Sequence, residues 1–554
     1  MSGAPVIPAE VHRSLRDTFG IRHLREGQQE VIARVLKGKD TLAIMPTGAG
    51  KSLCYQLPAL HLEGTTVVIS PLISLMKDQA RKLEEAGVAA EQLNSAVPKR
   101  EQDASMERIA DAQSEIVFAT PERLGDPEFL QTLQRQRIAL LVVDEAHCIS
   151  QWGHDFRPAF LEISQALEAL GRPPVLALTA TATREVVEDI LQQLGRAKMH
   201  VVNTGIFRPN LRLQVVQSTN EDEKFLQLRD ALSKARGCGI VYTATVKACE
   251  ELHRCLGAPG ESVAMYHGKL SANERHDNQD RFMRGDARVM IATNAFGMGI
   301  DKPDIRFVIH YQMPGSPEAY YQEAGRAGRD GEVADCVLLF FRKDRQVQQF
   351  FLARRYPSSD DLRQVCDVMQ HAGVPLHTTQ ISERLPQVPR NRVAVALKLL
   401  CDGGIARSDR QREWSLKPGK RGERQILGGL AADYEAKAER DREALERMVF
   451  YAQTGFCRWR VLLEYFDEPL PFLDRCGCCD NCLRPLVRPA PLIKSTEIRL
   501  PAPPPPAARF RPGDVVRVAR YGEGRVAQVT GDQVTVLFPD RCKRSFLADY
   551  VQSS

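Results

Sequence analysis

The chain has 554 residues, and its 43% hydrophobic and 26% charged content is that of a globular protein, which excludes a disordered or fibrous chain. A chain of this length divides into roughly three to five domains. The net charge of +5 permits a polyanionic partner without requiring one. No apolar stretch approaches the ~20 residues that span a bilayer, and the first residues lack the basic and apolar regions of a signal peptide. We therefore expect no membrane partner and a cytoplasmic location.

The first functional pattern is a phosphate-binding loop within residues 41–52. An apolar strand runs through a turn of small residues into a helix-forming run, so that backbone N–H groups and a helix N-terminus converge on an anion. Met45 stands where the general pattern has its first glycine. In such a loop Lys51 would reach the β- and γ-phosphates, and the Ser52 hydroxyl would bind Mg²⁺. The predicted ATP and Mg²⁺ ligands of this segment are Thr47, Gly48, Gly50, Lys51 and Ser52.

Two acids end the next informative strand. Residues 138–143 form an apolar run of strand length that is followed directly by Asp144 and Glu145. Beside a phosphate-binding loop, Asp144 would orient the Mg²⁺ shell and Glu145 would polarise the attacking water. Paired acids at a strand end also occur in solvated turns, but the phosphate-binding loop upstream favours the catalytic interpretation.

The residues that follow carry a family resemblance. Residues 144–158 resemble the DEAH box and aromatic-rich loop of RecQ helicases almost residue for residue, and segments 70–79, 119–123 and 178–182 occur in the order of that family's motifs. The resemblance spans about residues 15–343 and recurs in a cysteine-rich region further on. It implies an ATP-dependent DNA helicase with 3′→5′ polarity and roles in DNA repair and recombination. It also implies association with the chromosome.

Two residues near the N-terminus match the spacing of the family's adenine-recognition motif, namely Arg25 and Gln28. A glutamine side chain offers a donor and an acceptor to the adenine edge, and an arginine plane can stack on the ring. Ile21 stands where relatives often carry an aromatic stacking partner, which predicts a weaker grip on adenine or a looser choice of nucleotide. The alternative for both residues is an ordinary N-terminal helix.

A second lobe repeats the alternation of short apolar strands and helical patterns without a phosphate-binding loop. Within it, Gln322, Arg326 and Arg329 resemble the family's sixth motif, which implies a catalytic role. On a helix, two arginines three residues apart share a face, from which guanidinium groups could reach the γ-phosphate across a cleft. The alternative is a surface arginine pair. We predict an α/β protein of two tandem RecA-like lobes, residues 1–204 and 205–345.

An aromatic and basic segment follows the catalytic strand: Trp152, His154, Phe156 and Arg157. Aromatic rings stack on unpaired bases for about 1–3 kcal/mol each, and arginine adds attraction to phosphates. Aromatic residues in a loop also serve as core filler. The family resemblance implies that this loop couples contact with single-stranded DNA to ATP hydrolysis.

Residues 357–418 predict a winged helix. Its third helix carries Arg390 and Arg392 off the apolar stripe, where they could contact a duplex groove. Such domains also bind proteins, and both interpretations remain open. RecQ proteins usually carry the winged helix after the zinc module, whereas this candidate precedes it, so no strand-separating pin can be assigned.

A zinc-binding module is predicted for residues 430–483. Cys457, Cys476, Cys479 and Cys482 have the spacing of a closed, tetrahedral and structural Zn²⁺ site, and RecQ proteins have a module with this spacing. Cys478 lies between two of them and could exchange with a neighbour. In a reducing compartment the cluster favours metal binding over disulfides.

The C-terminal part begins with a Pro-rich linker, residues 484–512, which contains nine prolines. Residues 513–552 then alternate at strand period and predict a small SH3-like β-barrel. This part resembles the Tudor-like tail of UvrD-type helicases, which suggests a docking site for protein or nucleic acid. The sequence does not predict an oligomeric state.

The leading prediction is an enzyme, a DNA-stimulated ATPase that unwinds tailed duplex DNA as it moves along single-stranded DNA. An RNA helicase is disfavoured by the aromatic loop and the cysteine cluster. A different alternative is an ATP-dependent translocase, clamp or remodelling factor with little unwinding. The hydrolytic set Lys51, Asp144, Glu145 and Arg329 argues against a clamp, which needs no complete set.

Overall fold

The computed structural model describes residues 7–94, 97–150, 160, 163–257, 262–297, 300, 302–409, 413–417, 424–484, 510–519 and 521–554. The chain divides into two compact units. One comprises Met1–Met313, Glu318–Phe340 and Phe450–Ser554, and the other comprises Pro314–Pro317 and Phe341–Val449. Among the described residues, no helix combines the length and apolarity needed to cross a membrane.

The first lobe is a parallel sheet covered by helices. Its described strands are β1 (Thr41–Ile44), β2 (Thr65–Ile69), β3 (Ala90–Leu93), β4 (Ile116–Ala119), β5 (Ile138–Val143), β6 (Val175–Thr179) and β7 (His200–Asn203). They pair in the order β3-β4-β2-β5-β6-β1-β7. Every residue of β1, β2, β4 and β6 is buried, as expected of parallel strands covered on both faces. In this order β5 and β1 flank β6, so the predicted acids and the phosphate-binding loop share one edge of the sheet.

The described helices of this lobe are α1 (Ala9–Asp17), α2 (Gln28–Leu36), α3 (Leu53–Ala59), α4 (Ile73–Glu85), α5 (Lys99–Ala110), α6 (Pro121–Leu124), α7 (Pro127–Gln134), α8 (Ile163–Ala169) and α9 (Arg184–Gln193). Helices of this lobe pack against the sheet and bury apolar stripes in two clusters, and α1 packs against α2 and α3 in a third.

The second lobe repeats this plan. Its described strands are β8 (Leu211–Ser218), β9 (Cys238–Tyr242), β10 (Val263–Tyr266), β11 (Val289–Ala292), β12 (Ile305–His310) and β13 (Ala334–Phe341), in the order β10-β11-β9-β12-β13-β8. The strands from β10 to β13 in this order are parallel, and β8 is an edge strand. The helices are α10 (Glu221–Lys234), α11 (Val246–Gly257), α12 (Ala272–Arg284) and α13 (Pro317–Ala324). Two tandem parallel α/β lobes, as predicted, are confirmed.

The second unit begins with α14 (Arg342–Arg355). It continues with α15 (Ser359–Ala372), β14 (Leu376–His377), α16 (Thr378–Arg384), α17 (Arg390–Asp402), β15 (Ala406–Ser408), β16 (Glu413–Leu416) and α18 (Arg424–Gln453), whose residues from Phe450 onward belong to the first unit. From α15 to β16 the order helix, strand, helix, helix, strand, strand is typical of a winged helix. The three strands form an antiparallel sheet, and apolar side chains of α15, α16 and α17 build one core.

The C-terminal part of the first unit contains α19 (Arg458–Tyr465), α20 (Asp480–Leu483) and an antiparallel sheet. The sheet strands are β17 (Val515–Val518), β18 (Gly522–Thr530), β19 (Gln533–Leu537), β20 (Lys543–Leu547) and β21 (Gln552–Ser553), in the order β20-β19-β18-β17-β21. Its closure into an SH3-like barrel stays a prediction. The predicted Pro-rich linker lies outside the described residues from 485 to 509.

Candidate functional site

The phosphate-binding loop connects β1 to α3. Gly48 and Gly50 have φ angles of +85° and +75°, a left-handed conformation that glycine adopts without strain. The side chain of Met45 is fully buried, and its N–H donates to the Thr179 carbonyl of β6 at 3.0 Å. Its carbonyl accepts from Lys51 Nζ at 3.2 Å. Methionine therefore fits at this position because the residue directly follows β1 and remains buried and bonded to β6.

Three ionisable groups meet behind this loop. Burial lowers the pKa of the Lys51 amine, and the nearby Glu145 and Asp144 carboxylates oppose that effect. The pKa of Asp144 is raised to about 7, mainly by burial and also by the neighbouring Glu145 carboxylate, while Lys51 opposes the rise. Ser70 Oγ donates to Asp144 Oδ2 at 3.2 Å. The structure thus brings the predicted phosphate-binding lysine and both predicted acids into one electrostatically coupled group, where Mg²⁺ would favour the charged carboxylates.

The backbone of Glu145 is left-handed, with a φ angle of +50°. Its N–H donates to Asp144 Oδ1 at 3.0 Å. Its Oε2 lies 3.4 Å from His147 Nδ1, which also lies 3.1 Å from Thr179 Oγ1. A left-handed glutamate costs of order 1–3 kcal/mol and persists only where the surroundings hold it. Here the conformation turns the carboxylate from the strand end towards the loop and His147.

A residue that the sequence analysis did not single out supports Ser52. Gln79, on α4, donates from Nε2 to Ser52 Oγ at 2.7 Å, and its Oε1 accepts from Tyr55 and from Gln56. The amide thereby fixes the hydroxyl that is predicted to bind Mg²⁺. Gln79 is the last residue of segment 70–79, one of the segments that resemble the family's motifs, but the resemblance did not predict its contact with Ser52.

The two predicted adenine-binding residues both contact the phosphate-binding loop. Arg25 donates to the Gly48 carbonyl, and its N–H donates to Gln28 Oε1 at 2.7 Å. The Nε2 of Gln28 donates to the carbonyls of Ala49 and Gly50, each at 3.0 Å. A Cβ at Gly50 would lie 2.6 Å from that nitrogen, so the loop and Gln28 are closely packed.

The prediction that Arg326 and Arg329 share one helical face is wrong. Helix α13 carries Gln322 and ends at Ala324, because the following turn contains Gly325 and a left-handed Gly328 with a φ angle of +56°. The turn sends the two arginines in different directions.

Each arginine has a distinct neighbour. The buried Arg326 donates to the Gly297 carbonyl inside the second lobe. Arg329 instead lies against the phosphate-binding loop, since a Cβ at Gly48 would lie 3.0 Å from Arg329 Cγ. Of the two, Arg329 is therefore the one that the second lobe presents to the nucleotide loop.

A second residue that the sequence analysis missed is Arg208, in the connection between the lobes. Its side chain is buried, and it donates to carbonyls of both the phosphate-binding loop and the turn after α13. In the sequence Arg208 is a single cation before a proline, and this pattern does not predict a role without the tertiary contacts.

The predicted DNA-contacting residues have mixed outcomes. Trp152, His154, Phe156 and Arg157 lie outside the described residues. In the second unit, Arg390 is exposed at the first position of α17. Arg392 instead forms an ion pair with Asp361 of α15 and is 22% exposed.

The zinc site is formed by the four predicted cysteines. The Sγ atoms of Cys457, Cys476, Cys479 and Cys482 all lie within 4.8 Å of one another. The Cys476 and Cys482 sulfurs are 3.8 Å apart, which fits tetrahedral ligands at a Zn–S distance of about 2.3 Å. Backbone N–H groups donate to the sulfurs of Cys457 and Cys479 at 3.4 Å, and hydrogen bonds from Cys457 and Cys476 lower the pKa of the Cys479 thiol. The donor set fits a structural zinc ion.

The fifth cysteine of the cluster, Cys478, falls outside this group of four. Its Sγ lies 3.6 Å from Cys476 Sγ and 4.0 Å from the Leu211 carbonyl. All cysteines of the chain lie within the described residues, and none forms a disulfide. The cluster of four cysteines has the predicted membership, and the exclusion of Cys478 from the zinc ligands stays a prediction.

Three family models match the chain in order. The DEAD/DEAH box helicase model matches residues 25–190, the helicase conserved C-terminal domain model matches residues 223–331, and the RecQ zinc-binding model matches residues 420–483. The first two cover the lobes that form the nucleotide site, and the third contains the four cysteines.

Curated relatives share most of the chain. The ATP-dependent DNA helicase RecQ of Bacillus subtilis (strain 168) is 37% identical over 503 residues, which cover 88% of this chain and 71% of the relative. The probable ATP-dependent DNA helicase RecS of the same organism is 36% identical over 479 residues, which cover 85% of this chain and 92% of the relative.

Solved structures share the fold. The Mycobacterium smegmatis helicase Lhr bound to single-stranded DNA and AMP-PNP has a TM-score of 0.51 at 21% identity, covering 77% of this chain and 62% of that chain. S. cerevisiae Dbp5 bound to RNA and ADP BeF3 has a TM-score of 0.50 at 20% identity, covering 63% of this chain and 90% of that chain. At these identities the likeness supports the two RecA-like lobes and nothing finer.

Proposed function

The chain belongs to the RecQ family of ATP-dependent DNA helicases, and from this premise we propose that it moves 3′→5′ along single-stranded DNA and unwinds the duplex ahead. It is an enzyme that uses ATP, Mg²⁺ and a structural Zn²⁺ ion. Repair and recombination of chromosomal DNA in the cytoplasm are the processes that such a motor would serve.

The contact between the two lobes is the observation that supports the proposal. Arg329 of the second lobe lies against Gly48 in the phosphate-binding loop of the first. With ATP bound, Lys51 would hold the β- and γ-phosphates, and Ser52 and Asp144 would serve Mg²⁺. Glu145 would polarise the attacking water, while Arg329 would stabilise the charge that spreads on the γ-phosphate. Since these groups come from both lobes, hydrolysis is tied to the relative position of the lobes.

The DNA contacts belong to the same proposal. The aromatic loop at residues 152–157 would stack on unpaired bases directly after the catalytic strand. Arg390, at the exposed start of α17, would meet the phosphates of the duplex. The C-terminal sheet is a docking site for a protein or nucleic-acid partner.

Strand displacement tests the proposal. A duplex with a 3′ single-stranded tail and a duplex with a 5′ tail are mixed with the protein and Mg-ATP, with Lys51→Ala as the inactive control. We expect unwinding of the 3′-tailed duplex alone, and none by the variant. DNA-stimulated hydrolysis without displacement would instead indicate a translocase or remodelling factor, and preference for a tailed RNA duplex would indicate an RNA helicase.

A further inference from the structure

Arg208 lies in the connection between the two lobes and is 8% exposed. Its guanidinium donates to three carbonyls of the turn after α13. These are the carbonyls of Gly325 at 2.7 Å, Ala327 at 2.8 Å and Gly328 at 2.5 Å. A fourth, longer bond of 3.4 Å reaches the Thr47 carbonyl of the phosphate-binding loop. One side chain thus touches the nucleotide loop of the first lobe and the turn of the second.

The turn needs such a partner. The last carbonyls of a helix receive no hydrogen bond from within the helix. A buried carbonyl that has no donor lowers the stability of the fold. Arginine suits this position because its planar fork offers five donors in a fixed geometry. Asn210 adds a second brace, donating to the carbonyls of Gly328 at 2.8 Å and Glu332 at 2.9 Å. The interlobe connection therefore supplies side-chain donors to the turn carbonyls of residues 325, 327, 328 and 332.

The connection itself is anchored on both sides of Arg208. Tyr321 of α13 donates from its hydroxyl to the Ile206 carbonyl at 2.7 Å. The Phe207 ring packs edge-on against Trp459 of α19 and against Phe472, with centroid distances of 5.1 and 5.5 Å. Arg208 thus extends from a segment that the second lobe and the zinc module both hold.

We propose that Arg208 is a positioning residue for ATP hydrolysis, which holds the turn at residues 325–329 so that Arg329 meets the γ-phosphate. The inference rests on the proposed role of Arg329. The three short bonds tie Arg208 to the turn, and the long bond ties it only weakly to the phosphate-binding loop. Loss of the guanidinium should therefore impair the hydrolytic step and leave nucleotide binding intact.

Steady-state kinetics of Arg208→Lys test this inference in the full-length protein with saturating single-stranded DNA. Lysine keeps the charge, but its single ammonium on a flexible stem cannot reproduce the planar guanidinium fork that spans the three carbonyls. Because a displacement of 1 Å can cost about 100-fold, we expect kcat to fall roughly 10- to 100-fold. Binding of a fluorescent ATP analogue should not change. The matched control is Arg288→Lys, because Arg288 also donates to two carbonyls, those of Leu232 and Ala235, within the second lobe.

A double-mutant cycle separates positioning from general destabilisation. If Arg208 acts through Arg329, adding Arg208→Lys to Arg329→Ala should lower kcat no further. A full kcat in Arg208→Lys, equal losses in Arg288→Lys, or multiplicative losses in the double variant would each overturn the inference. If Arg329→Ala keeps full kcat, the proposed arginine finger fails first, and the positioning role fails with it.

Discussion

Glu145 combines a strained backbone with a position beside His147, and its proposed role can be separated from nucleotide binding. Glu145→Gln keeps the shape of the side chain and its neighbours but removes the negative charge that polarises water. We expect the kcat of DNA-stimulated ATP hydrolysis to fall about 10²- to 10⁴-fold, the usual contribution of a general base. Binding of a fluorescent ATP analogue should remain, and strand displacement should stop.

The control is Glu168→Gln, which removes a carboxylate that pairs with Arg172 on the exposed surface of the same lobe. Its rates should equal those of the wild type, since exposed ion pairs contribute little. Displacement of DNA by Glu145→Gln at the normal rate would contradict the proposed role of Glu145 in hydrolysis.

The sequence predicted the roles of residues that lie within a motif of consecutive residues. It did not predict the roles of residues that act through contacts with residues far away in the chain. Lys51, Asp144 and Glu145 follow apolar strands, so the sequence alone places them at the edge of a parallel sheet. Arg208 meets Gly325, which is 117 residues away, and Gln79 meets Ser52 across a helix and a strand. Neither pair has a periodic signal, because the contacts arise only once the sheets have formed.

At the scale of elements, sheet content was predictable from apolar runs, but the end of α13 was not. The spacing of Arg326 and Arg329 fits a helix equally well, and only the conformation of the Gly325–Gly328 turn decides against it. Side-chain spacing predicts a shared face only while the helix continues. Two chemically identical residues therefore differ in contacts and, as we propose, in function.

The two arginines at the start of α17 should also differ in function. Arg390→Ala removes an exposed charge, so the affinity for duplex DNA should fall. The slope of the logarithm of the binding constant against the logarithm of the salt concentration should become shallower by about 1. Arg392→Ala leaves the buried carboxylate of Asp361 with its hydrogen bonds from Ser358 but without the cation that pairs with it, which should destabilise the winged-helix region by about 1–3 kcal/mol. Fluorescence anisotropy across a salt series and thermal unfolding measure the two effects.

Each variant serves as the control for the other. If Arg392→Ala reduces the salt slope as much as Arg390→Ala does, with unfolding unchanged, its ion pair does not keep it from DNA. If neither variant alters duplex binding, the winged-helix region contacts protein.

The C-terminal sheet contains an aromatic cluster that its own arginine covers. The guanidinium carbon of Arg544 lies 4.9 Å from the Tyr521 ring centroid and 5.2 Å from that of Phe538, and its Nη2 lies 2.8 Å from Asp540. Desolvated cation–π contacts contribute about 2 kcal/mol. We expect Arg544→Ala to loosen residues 510–554, seen as faster hydrogen exchange, whereas the exposed Arg525→Ala should not. Equal exchange in both variants would show that Arg544 is dispensable for this sheet.

At the scale of the whole molecule, the zinc module is bonded to the edge of the second lobe. Asp480 Oδ2 accepts from the Val215 N–H at 3.0 Å, and Trp459 Nε1 donates to the Leu211 carbonyl at 3.3 Å. The Gln217 side chain donates to the Ala452 carbonyl at 2.7 Å. An edge strand offers unpaired backbone groups, and here the module uses those of β8. Because β8 follows the interlobe connection, these contacts join the zinc module to the segment from which Arg208 extends.

Loss of zinc should therefore destabilise β8. Cys479→Ser removes a buried ligand, so bound zinc should fall from one ion per chain, measured by elemental analysis, to near zero. Amides in residues 211–218 should then exchange faster, and kcat should fall because the base of the interlobe connection loosens. Cys478→Ser is the matched control, since Cys478 lies outside the group of four cysteines, and it should keep zinc, slow exchange and normal kcat. Zinc loss with unchanged exchange at β8 would mean that the module folds around its metal without bracing the motor.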